Sequence, residues 1–374
     1  MENFVNLHSH THHSHMDAIT SIPDLFKRVV ELGQPGIAIT DHGVLAGIHE
    51  GYKEYKKYKE KGQPIKFIPG SEIYYCEDLS DPKSKRRHLV LLAQNEEGYR
   101  NLLRINAAGY NNSVTVMGRQ FPRVDLNVIK QHKDGLFVNS ACGGSPFAAS
   151  IFEKNIHKAR DLAARFRDIF GDKFYIELQP HDLQRGDFNQ SLLNDQLKLI
   201  ADELKIGMIA TCDSHYLTSK HEKYHDMVLA IGSKKSLEDP TRHRYATYQP
   251  CLICGGTGEF PVDSKRECHQ CNGTKYGAIK PCPEFYLKGR EQLVGYFSKK
   301  FDVKTATALV DNTVTIANSC EYPDYMATKG HRLPSYPWKN DSDAGEFETW
   351  LSDKSQLVAL KKDAAYLRFR VKKA

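Results

Sequence analysis

The feature that most constrains the fold of this chain is an alternation of short β-prone segments with longer helical segments through residues 4–231. The β-prone segments are Phe4–Leu7, Gly36–Thr40, Ile65–Tyr75, His88–Ala93, Leu136–Ser140, Phe174–Leu178 and Met208–Thr211. The helical segments are Ile22–Leu32, Val44–Lys61, Glu96–Ala108, Pro146–Phe170, Phe188–Leu204 and Ser219–Ile231. This alternation predicts an α/β fold with a parallel sheet, closed or nearly closed into a barrel. An open doubly wound sheet has the same pattern, and periodicity alone does not separate the two.

The pattern changes after residue 232. We expect residues 1–232 to form the barrel and residues 233–250 to connect it to an insertion at 251–283, which contains cysteines and glycines. Residues 284–374 are expected to form a helical tail, in which Ala306–Cys320 is the clearest helix and the basic stretch Leu357–Lys373 is a second candidate.

Composition excludes several classes of protein. The net charge of +6, from 52 basic and 46 acidic residues, permits a nucleic-acid partner but is not the footprint of a protein dedicated to wrapping DNA. The longest apolar runs, such as Leu89–Ala93, are too short to cross a membrane, and Met1–Phe4 does not resemble a secretion signal. We therefore expect a cytoplasmic protein without a membrane partner, in which the nine cysteines are thiols or metal ligands.

Side chains that bind metals lie at the ends of most predicted strands. They are His8, His10, Asp41, His42, Glu72, His88, Cys142, Asp213 and His215. The carboxyl ends of parallel strands share one edge of a barrel, and a His-x-His pattern in a strand places both rings on one side. Each residue alone is more often an ordinary surface or core group, but six strand ends together predict a shared metal site.

The donor types indicate which ions and which reaction to expect. Imidazole, carboxylate and thiol ligands suit Zn²⁺ or Mn²⁺, and the carboxylates also accept Mg²⁺. Because there are too many donors for one ion, we expect two or three. Paired metals about 3.5–4 Å apart clamp the oxygens of a phosphoryl displacement and lower the pKa of a bound water toward about 7. The pattern therefore predicts phosphoester hydrolysis.

Five segments carry a family resemblance: Phe4–Asp17, Ala38–Gly43, Ile68–Glu72, His88–Ala93 and Ala210–Leu217. In this order they resemble the PHP (polymerase and histidinol phosphatase) domain of the bacterial replicative DNA polymerase III alpha subunit. Three later segments match the same subunit: Leu229–Gly232, Leu237–Pro240 and Glu284–Lys288. The resemblance extends from residue 4 to the region of residue 340, with one interruption, and it implies a distorted (β/α)7 barrel.

The resemblance also implies the site residues. The family's metal ligands fall on His8, His10, Asp17, His42, Glu72, His88, Cys142, Asp213 and His215, and every position holds a competent ligand. Spacing alone would not choose Asp17 over His15. An intact cluster in this family implies a metal-dependent 3′–5′ exonuclease that proofreads single-stranded 3′ ends during DNA replication, with His10, Asp41 and His42 in catalytic roles.

The interruption is a second metal motif. Cys251 and Cys254 form one Cys-x-x-Cys pair, and Cys268 and Cys271 form another after 13 intervening residues. Two such pairs predict a closed, structural Zn²⁺ site, and the motif also resembles the zinc repeats of J-domain chaperones. Its segment has too few apolar residues for a core of its own, so its folding should depend on the metal. We expect it to dock a partner or to stabilise the loop.

Several alternatives stay open at this stage. His12, His13 and His15 are solvated loop residues, contacts to a substrate phosphate, or residues that support the metal ligands. No cluster of three aspartates typical of a polymerase palm follows residue 340, so we expect no polymerase activity from this chain. It is then a free-standing exonuclease, or the first part of a split polymerase whose palm is on another chain. A non-catalytic replisome scaffold and a phosphatase of the histidinol phosphatase type are the competing functions.

Overall fold

The computed structural model describes residues 3–116, 118–239, 242–254, 259–260, 263–268 and 276–327. The strands are β1 (Gly36–Ile39), β2 (Lys66–Tyr75), β3 (Arg87–Ala93), β4 (Val114–Val116), β5 (Arg119–Phe121), β6 (Leu136–Asn139), β7 (Phe174–Leu178), β8 (Gln184–Arg185), β9 (Phe188–Asn189), β10 (Gly207–Ala210), β11 (Ala246–Pro250), β12 (Glu259–Phe260), β13 (Asp263–Glu267) and β14 (Tyr276–Pro281). The α-helices are α1 (Ile22–Glu31), α2 (Ala46–Glu60), α3 (Glu96–Asn111), α4 (Leu126–Gln131), α5 (Pro146–Phe152), α6 (Ile156–Phe170), α7 (Gln190–Leu204), α8 (Glu222–Ser233), α9 (Arg290–Phe297) and α10 (Val303–Ser319). Short 3₁₀ turns lie at Gly171–Lys173, Ser219–His221 and Pro323–Met326.

The central sheet follows the order β1-β2-β3-β6-β7-β10. Strands β1 and β2 are parallel, and so are β6, β7 and β10. Strand β3 is antiparallel to both of its neighbours, β2 and β6. The predicted α/β class is therefore confirmed, but the expectation of a wholly parallel sheet is wrong at β3.

The N-terminal segment joins the two edges of this sheet. Asn6 pairs with Ile37 of β1 through one parallel bridge, and Ser9 pairs with Ser214, just beyond β10, through another. Two backbone hydrogen bonds accompany these bridges, Ala38 N–H to Asn6 O at 3.0 Å and His10 N–H to Ser214 O at 2.8 Å. Because the chain changes partner between Asn6 and Ser9, it forms isolated bridges rather than the regular strand expected at Phe4–Leu7. The predicted distorted barrel is confirmed.

Local capping explains where the helices begin. The side chains of Ser21, Asn95, Asp125 and Ser145 each accept a hydrogen bond from a first-turn N–H group of α1, α3, α4 and α5. The single helix expected at Pro146–Phe170 is divided into α5 and α6. Lys154 adopts a left-handed φ of 58° there, and Asn155 caps the new helix. The prediction of a single helix was therefore wrong, because the chain breaks at Lys154 and begins a second helix.

The helices cover a core that includes part of the predicted tail. Leu293 and Phe297 of α9 and Leu309 and Val310 of α10 are buried in the same apolar cluster as β3, β6 and β7. Residues up to Met326 belong to one compact unit. In the described part of the chain, no helix combines the length and apolar character that a bilayer span requires.

The insertion is built on a two-stranded base. Strand β11 pairs antiparallel with β14, starting at Ala246 opposite Pro281, and β12 pairs antiparallel with β13. Cys251, Cys254 and Cys268 are buried together. Cys271 and the predicted helix at Leu357–Lys373 lie outside the described residues.

Candidate metal centre

The nine predicted ligands form one continuous cluster. Each member has a donor atom within 3.7 Å of another member's donor atom. His8 lies between the bridge residues Asn6 and Ser9, and His10 follows Ser9. Glu72 lies within β2, and His88 is the second residue of β3. His88 reaches the cluster although it begins its strand, because the amino end of an antiparallel strand lies beside the carboxyl ends of its parallel neighbours. Their binding of metal stays a prediction.

The hydrogen bonds of His8 and His10 fix which nitrogens face the cluster. His8 donates its Nδ1–H to Glu177 Oε1 at 2.7 Å, and His10 donates its Nδ1–H to Ser14 Oγ at 3.0 Å. Both Nε2 atoms face the cluster, and they lie 3.1 Å apart. A ring whose distal N–H is held by a carboxylate or hydroxyl is typical of a metal-bound histidine. A cation bound between the two rings would need both Nε2 atoms in the unprotonated form.

Glu72 is the central carboxylate of the cluster. Its Oε1 lies 3.3 Å from His8 Nε2, 3.1 Å from His88 Nδ1 and 3.6 Å from Cys142 Sγ. Its Oε2 lies 2.5 Å from His42 Nδ1. The side chain of Glu72 is fully buried. If divalent ions bind to the cluster, this buried carboxylate, surrounded by imidazoles and a thiol, would be a central ligand.

Two aspartates complete the other side of the cluster. Asp17 Oδ2 lies 2.9 Å from His42 Nε2, and Asp17 Oδ1 lies 4.0 Å from His215 Nε2. Asp213 Oδ1 lies 3.3 Å from both His8 Nε2 and His10 Nε2. Asp213 adopts a left-handed φ of 45°, a conformation that costs energy in a residue with a side chain. The fold therefore holds the Asp213 carboxylate beside two histidines in spite of this backbone strain.

The donor geometry fits more than one divalent ion. Among the described residues, Asp17 Oδ1 and Asp213 Oδ1 are buried oxygens without a hydrogen-bond partner, and Glu72 Oε2 faces His42 Nδ1. Three overlapping sets of donor atoms, each set mutually within 4.8 Å, occur in the cluster. They are His8–His10–Glu72, His10–His42–His215 and His42–Glu72–His88. Buried acceptors without donors are costly unless a cation binds them, so the residues present suit the two or three ions that the sequence predicts.

The pKa values of the donors differ with their surroundings. Burial alone would lower the pKa of His8 and of His42, but the neighbouring carboxylates raise both well above the usual value, so metal would displace a proton from each ring. Burial, with the charges of His42 and His215, lowers the pKa of His10 to about 3, so its imidazole is neutral. Burial alone would raise the pKa of Glu72, but His88, His42 and His8 hold it well below its usual range. Burial and the charge of Glu72 raise the pKa of the Cys142 thiol, so binding of metal there releases a proton.

Asp41 was expected to have a catalytic role. The hydrogen bonds that the structure describes for its carboxylate come from Thr11 and Ser14, which are not predicted metal ligands. Its carboxylate accepts the Thr11 N–H at 2.7 Å, the Thr11 hydroxyl at 2.8 Å and the Ser14 hydroxyl at 2.7 Å. Ser14 in turn accepts the Nδ1–H of His10. Asp41 is thus linked to the cluster through Ser14, an arrangement that orients His10.

Sequence reasoning missed Glu177. This buried residue of β7 accepts hydrogen bonds from His8, from the Thr211 hydroxyl at 2.6 Å and from the Gln179 amide at 2.9 Å, all on Oε1. The available signal was a glutamate inside the apolar strand Phe174–Leu178, which burial alone would disfavour.

Sequence reasoning also missed Tyr245. Its hydroxyl lies 3.3 Å from His215 Nε2, and its ring stacks on Phe285 with centroids 4.3 Å apart. Tyr245 and Phe285 are at the two ends of the insertion, next to β11 and soon after β14. The base of the insertion therefore reaches His215, one of the predicted metal ligands.

A solvent-open cleft of about 510 Å³ leads to the cluster. Its lining includes Asp17, His42, Tyr74, Phe121 and His243. The Tyr74 ring stacks on His42 and meets Phe121 edge to face. Aromatic side chains beside charged donors suit a ligand that has both flat rings and anionic groups.

The basic segment before His88 lies close to this cleft. The Arg86 guanidinium lies over the Phe121 ring at 4.4 Å from its centroid. Lys85 and Arg87 instead lie within 4.0 Å of Glu153, on the outside of the barrel. Of these three cations, Arg86 alone contacts an aromatic residue of the cleft lining.

Three cysteines of the four-cysteine motif are among the described residues. The sulfurs of Cys251, Cys254 and Cys268 lie within 4.8 Å of one another, and Cys251 Sγ and Cys268 Sγ are 3.8 Å apart. Tetrahedral Zn²⁺ with bonds of about 2.3 Å to thiolates needs sulfurs at about this separation. The three described thiols fit a structural zinc ion, whose fourth ligand would be Cys271.

Comparison with known families identifies the barrel. Residues 6–181 match the model of the PHP domain. The chain contains a PHP domain. Within it lie His8, His10, Asp17, His42, Glu72, His88 and Cys142, whereas Asp213 and His215 follow the matched range.

Curated relatives extend the match beyond the PHP domain. The DNA polymerase III subunit alpha of Thermus aquaticus is 30% identical over 344 residues, which cover 89% of this chain and 24% of the relative. That of Deinococcus radiodurans is 33% identical over 349 residues, which cover 89% of this chain and 22% of the relative. The chain is homologous to these subunits and spans about a quarter of their length.

Solved structures resemble this chain only weakly. An amidohydrolase from Chromobacterium violaceum with bound sulfate and no metal covers 56% of this chain at 14% identity and a TM-score of 0.37. A likeness at this level says nothing about the chemistry of this chain.

Proposed function

We propose that this PHP protein is a metal-dependent phosphodiesterase that removes nucleotides from the 3′ end of single-stranded DNA. The observation that carries the proposal is the cluster itself, in which His8 and His10 turn their Nε2 atoms toward the buried carboxylates of Glu72 and Asp213. Divalent ions held there would polarise a phosphate oxygen and make water nucleophilic at neutral pH. Homology to polymerase III alpha subunits supports DNA as the substrate.

The chain's own residues would orient the ions and the substrate. Glu177 and Ser14 hold the rings of His8 and His10, and His42 is fixed between Asp17 and Glu72. The aromatic wall of the cleft would stack an unpaired base while the phosphate faces the cluster. A stacked base needs an unpaired nucleotide, so this arrangement favours a single-stranded end over a duplex.

The test is an exonuclease assay on single-stranded DNA labelled at its 3′ end, with Mn²⁺ or Zn²⁺ supplied. Wild type should release labelled mononucleotide. His10→Ala should not, because it removes a donor shared by two of the three sets. His49→Asn is the matched control, since His49 is an exposed histidine of α2 outside these sets, and it should keep full activity.

Two other outcomes correspond to the competing functions. A wild-type protein that binds metal but cleaves no DNA would favour a non-catalytic replisome scaffold. Turnover of histidinol phosphate without turnover of DNA would favour a small-molecule phosphatase. A ladder of shortened products from DNA labelled at its 5′ end would establish the 3′–5′ direction.

The organisation of the chain is part of the proposal. We assign residues 1–232 to the PHP barrel, 233–250 to a connector, 251–283 to a zinc-binding insertion and 284–374 to a polymerase-alpha-like tail. Homology to polymerase III alpha subunits supports a replisome protein, such as a polymerase palm, as the proposed partner. Co-purification of the tagged chain with such a partner tests this assignment.

A further inference from the structure

A second group of metal-binding side chains lies outside the nine-residue cluster. His12 and His13 belong to the loop between His10 and α1, and Glu50 belongs to α2. His13 Nε2 lies 3.4 Å from Glu50 Oε2, and His12 Nε2 lies 3.9 Å from the same oxygen. All three donor atoms are within 4.8 Å of one another.

The backbone fixes which nitrogen of His12 faces this group. His12 donates its Nδ1–H to the carbonyl of Thr20 at 3.3 Å, and its own N–H donates to the same carbonyl at 2.9 Å. The Nε2 lone pair therefore points toward Glu50. A backbone carbonyl that holds the distal N–H of a histidine is the arrangement found around metal-bound imidazoles.

The helix is shaped to receive His13. Gly47 lies one turn before Glu50, so the two residues share one face of α2. A Cβ atom at position 47 would lie 3.1 Å from His13 Cδ2 and 2.8 Å from Asp41 Oδ2. The absence of a side chain at Gly47 thus lets the His13 ring lie against the helix beside Glu50.

The geometry points to a further Zn²⁺ site formed by His12, His13 and Glu50. Two imidazoles and one carboxylate with an open fourth position are a known zinc ligand set, and tetrahedral bonds of about 2.0–2.2 Å place such donors about 3.3–3.6 Å apart. The side chains are 46%, 27% and 38% exposed, so an ion and its water can reach them. Unlike the nine-residue cluster, this site is at the surface and accounts for two of the histidines that sequence reasoning left open.

The position of this site beside the cleft indicates what a bound ion would do. His13 also lines the cleft, and the same loop carries Ser14 and Asp17. An ion here would tie this loop to α2 and place a positive charge with an open position at the rim of the cleft. That charge suits a phosphate of an anionic chain entering the cleft.

The test is a count of zinc bound by the untagged full chain, measured by elemental analysis after equilibration with buffered free Zn²⁺. The double variant His12→Asn/His13→Asn and the single variant Glu50→Gln should each bind one zinc fewer than wild type. His49→Asn, which changes the exposed residue next to Glu50, should bind as many as wild type.

The zinc count does not depend on whether the protein has catalytic activity. Thermal unfolding in chelator should be the same for all four proteins, because the substituted side chains are exposed or half-buried. Equal zinc counts in wild type and in the double variant would overturn the inference. Loss of zinc in His49→Asn as well would show that the ion is bound by surface histidines in general, and would also overturn it.

Discussion

Replacement of Glu177 by glutamine tests whether the cluster is built to hold metal. The carboxylate is buried, and its Oε1 accepts hydrogen bonds from His8, Thr211 and Gln179. Glutamine keeps the volume and one acceptor oxygen but removes the negative charge that fixes the Nδ1–H form of His8. Loss of such a partner typically weakens metal binding by 10–100-fold, or about 1.4–2.8 kcal/mol.

The same substitution has a second, separable effect. Oε2 of Glu177 has no hydrogen-bond partner among the described residues, so the NH₂ group of glutamine would be a buried donor without an acceptor. That costs about 1–3 kcal/mol of folding free energy. Unfolding by denaturant in chelator measures this cost, and competition with a coloured chelator measures the metal affinity.

The matched control is Glu203→Gln. Glu203 is an exposed residue of α7 that pairs with Arg160 on the surface, and its substitution should leave metal affinity unchanged. If Glu177→Gln binds metal as tightly as wild type while His8→Ala does not, then His8 does not depend on Glu177, and the proposed orientation of the ring is wrong.

Three further predictions concern the fold, the insertion and pH. In Gly98→Ala the new Cβ would lie 1.8 Å from the Gly135 carbonyl oxygen, so the unfolding free energy should fall by about 1–3 kcal/mol or more; a wild-type denaturation midpoint would contradict this. Tyr245→Phe should lower kcat about two- to twelvefold without loss of zinc or manganese, because one neutral hydrogen bond near His215 contributes about 0.5–1.5 kcal/mol. An unchanged kcat would show that Tyr245 has no role in the site. Burial lowers the pKa of His181 to about 3, whereas the same imidazole in the unfolded chain has a pKa near 6.5. Because protons then bind the unfolded state more readily, the free energy of unfolding should fall as the pH decreases from about 6.5 toward 3. His181→Gln should flatten that part of the stability–pH curve, and an unchanged slope would refute the assignment.

Much of the barrel could be predicted because strand and helix periodicity are local properties of the sequence. The direction of β3 was missed, although residues 76–86 between β2 and β3 carried a usable signal. A parallel connection needs about a dozen residues or more and usually a helix, and this segment, with Pro82 and three aspartates or glutamates, has no helical pattern. A short, polar connection therefore favours an antiparallel pair.

The same local character explains the error at α5 and α6. Residues 146–170 have apolar spacing suited to a helix throughout, and nothing in that spacing reveals the left-handed conformation of Lys154. Asn155, a strong N-cap residue in the middle of the predicted helix, was the available signal.

The site was predictable to the extent that its donors lie at strand ends. His8, His10, His42 and His215 follow from that rule, whereas Asp17 lies in a loop and was assigned from the resemblance alone. Glu177 and Tyr245 could not be recognised in the same way, because each acts through a ligand that is distant in sequence. Such contacts depend on the packing of β7 and of the insertion against the barrel.

The central claim is that these donors bind several cations together. Anomalous diffraction from crystals of the protein loaded with Mn²⁺ or Zn²⁺, recorded on both sides of the metal's absorption edge, tests it most directly. We expect two or three peaks, surrounded by His8, His10, His42, Glu72 and Asp213. A fully loaded crystal with no peak within bonding distance of Glu72 would contradict it.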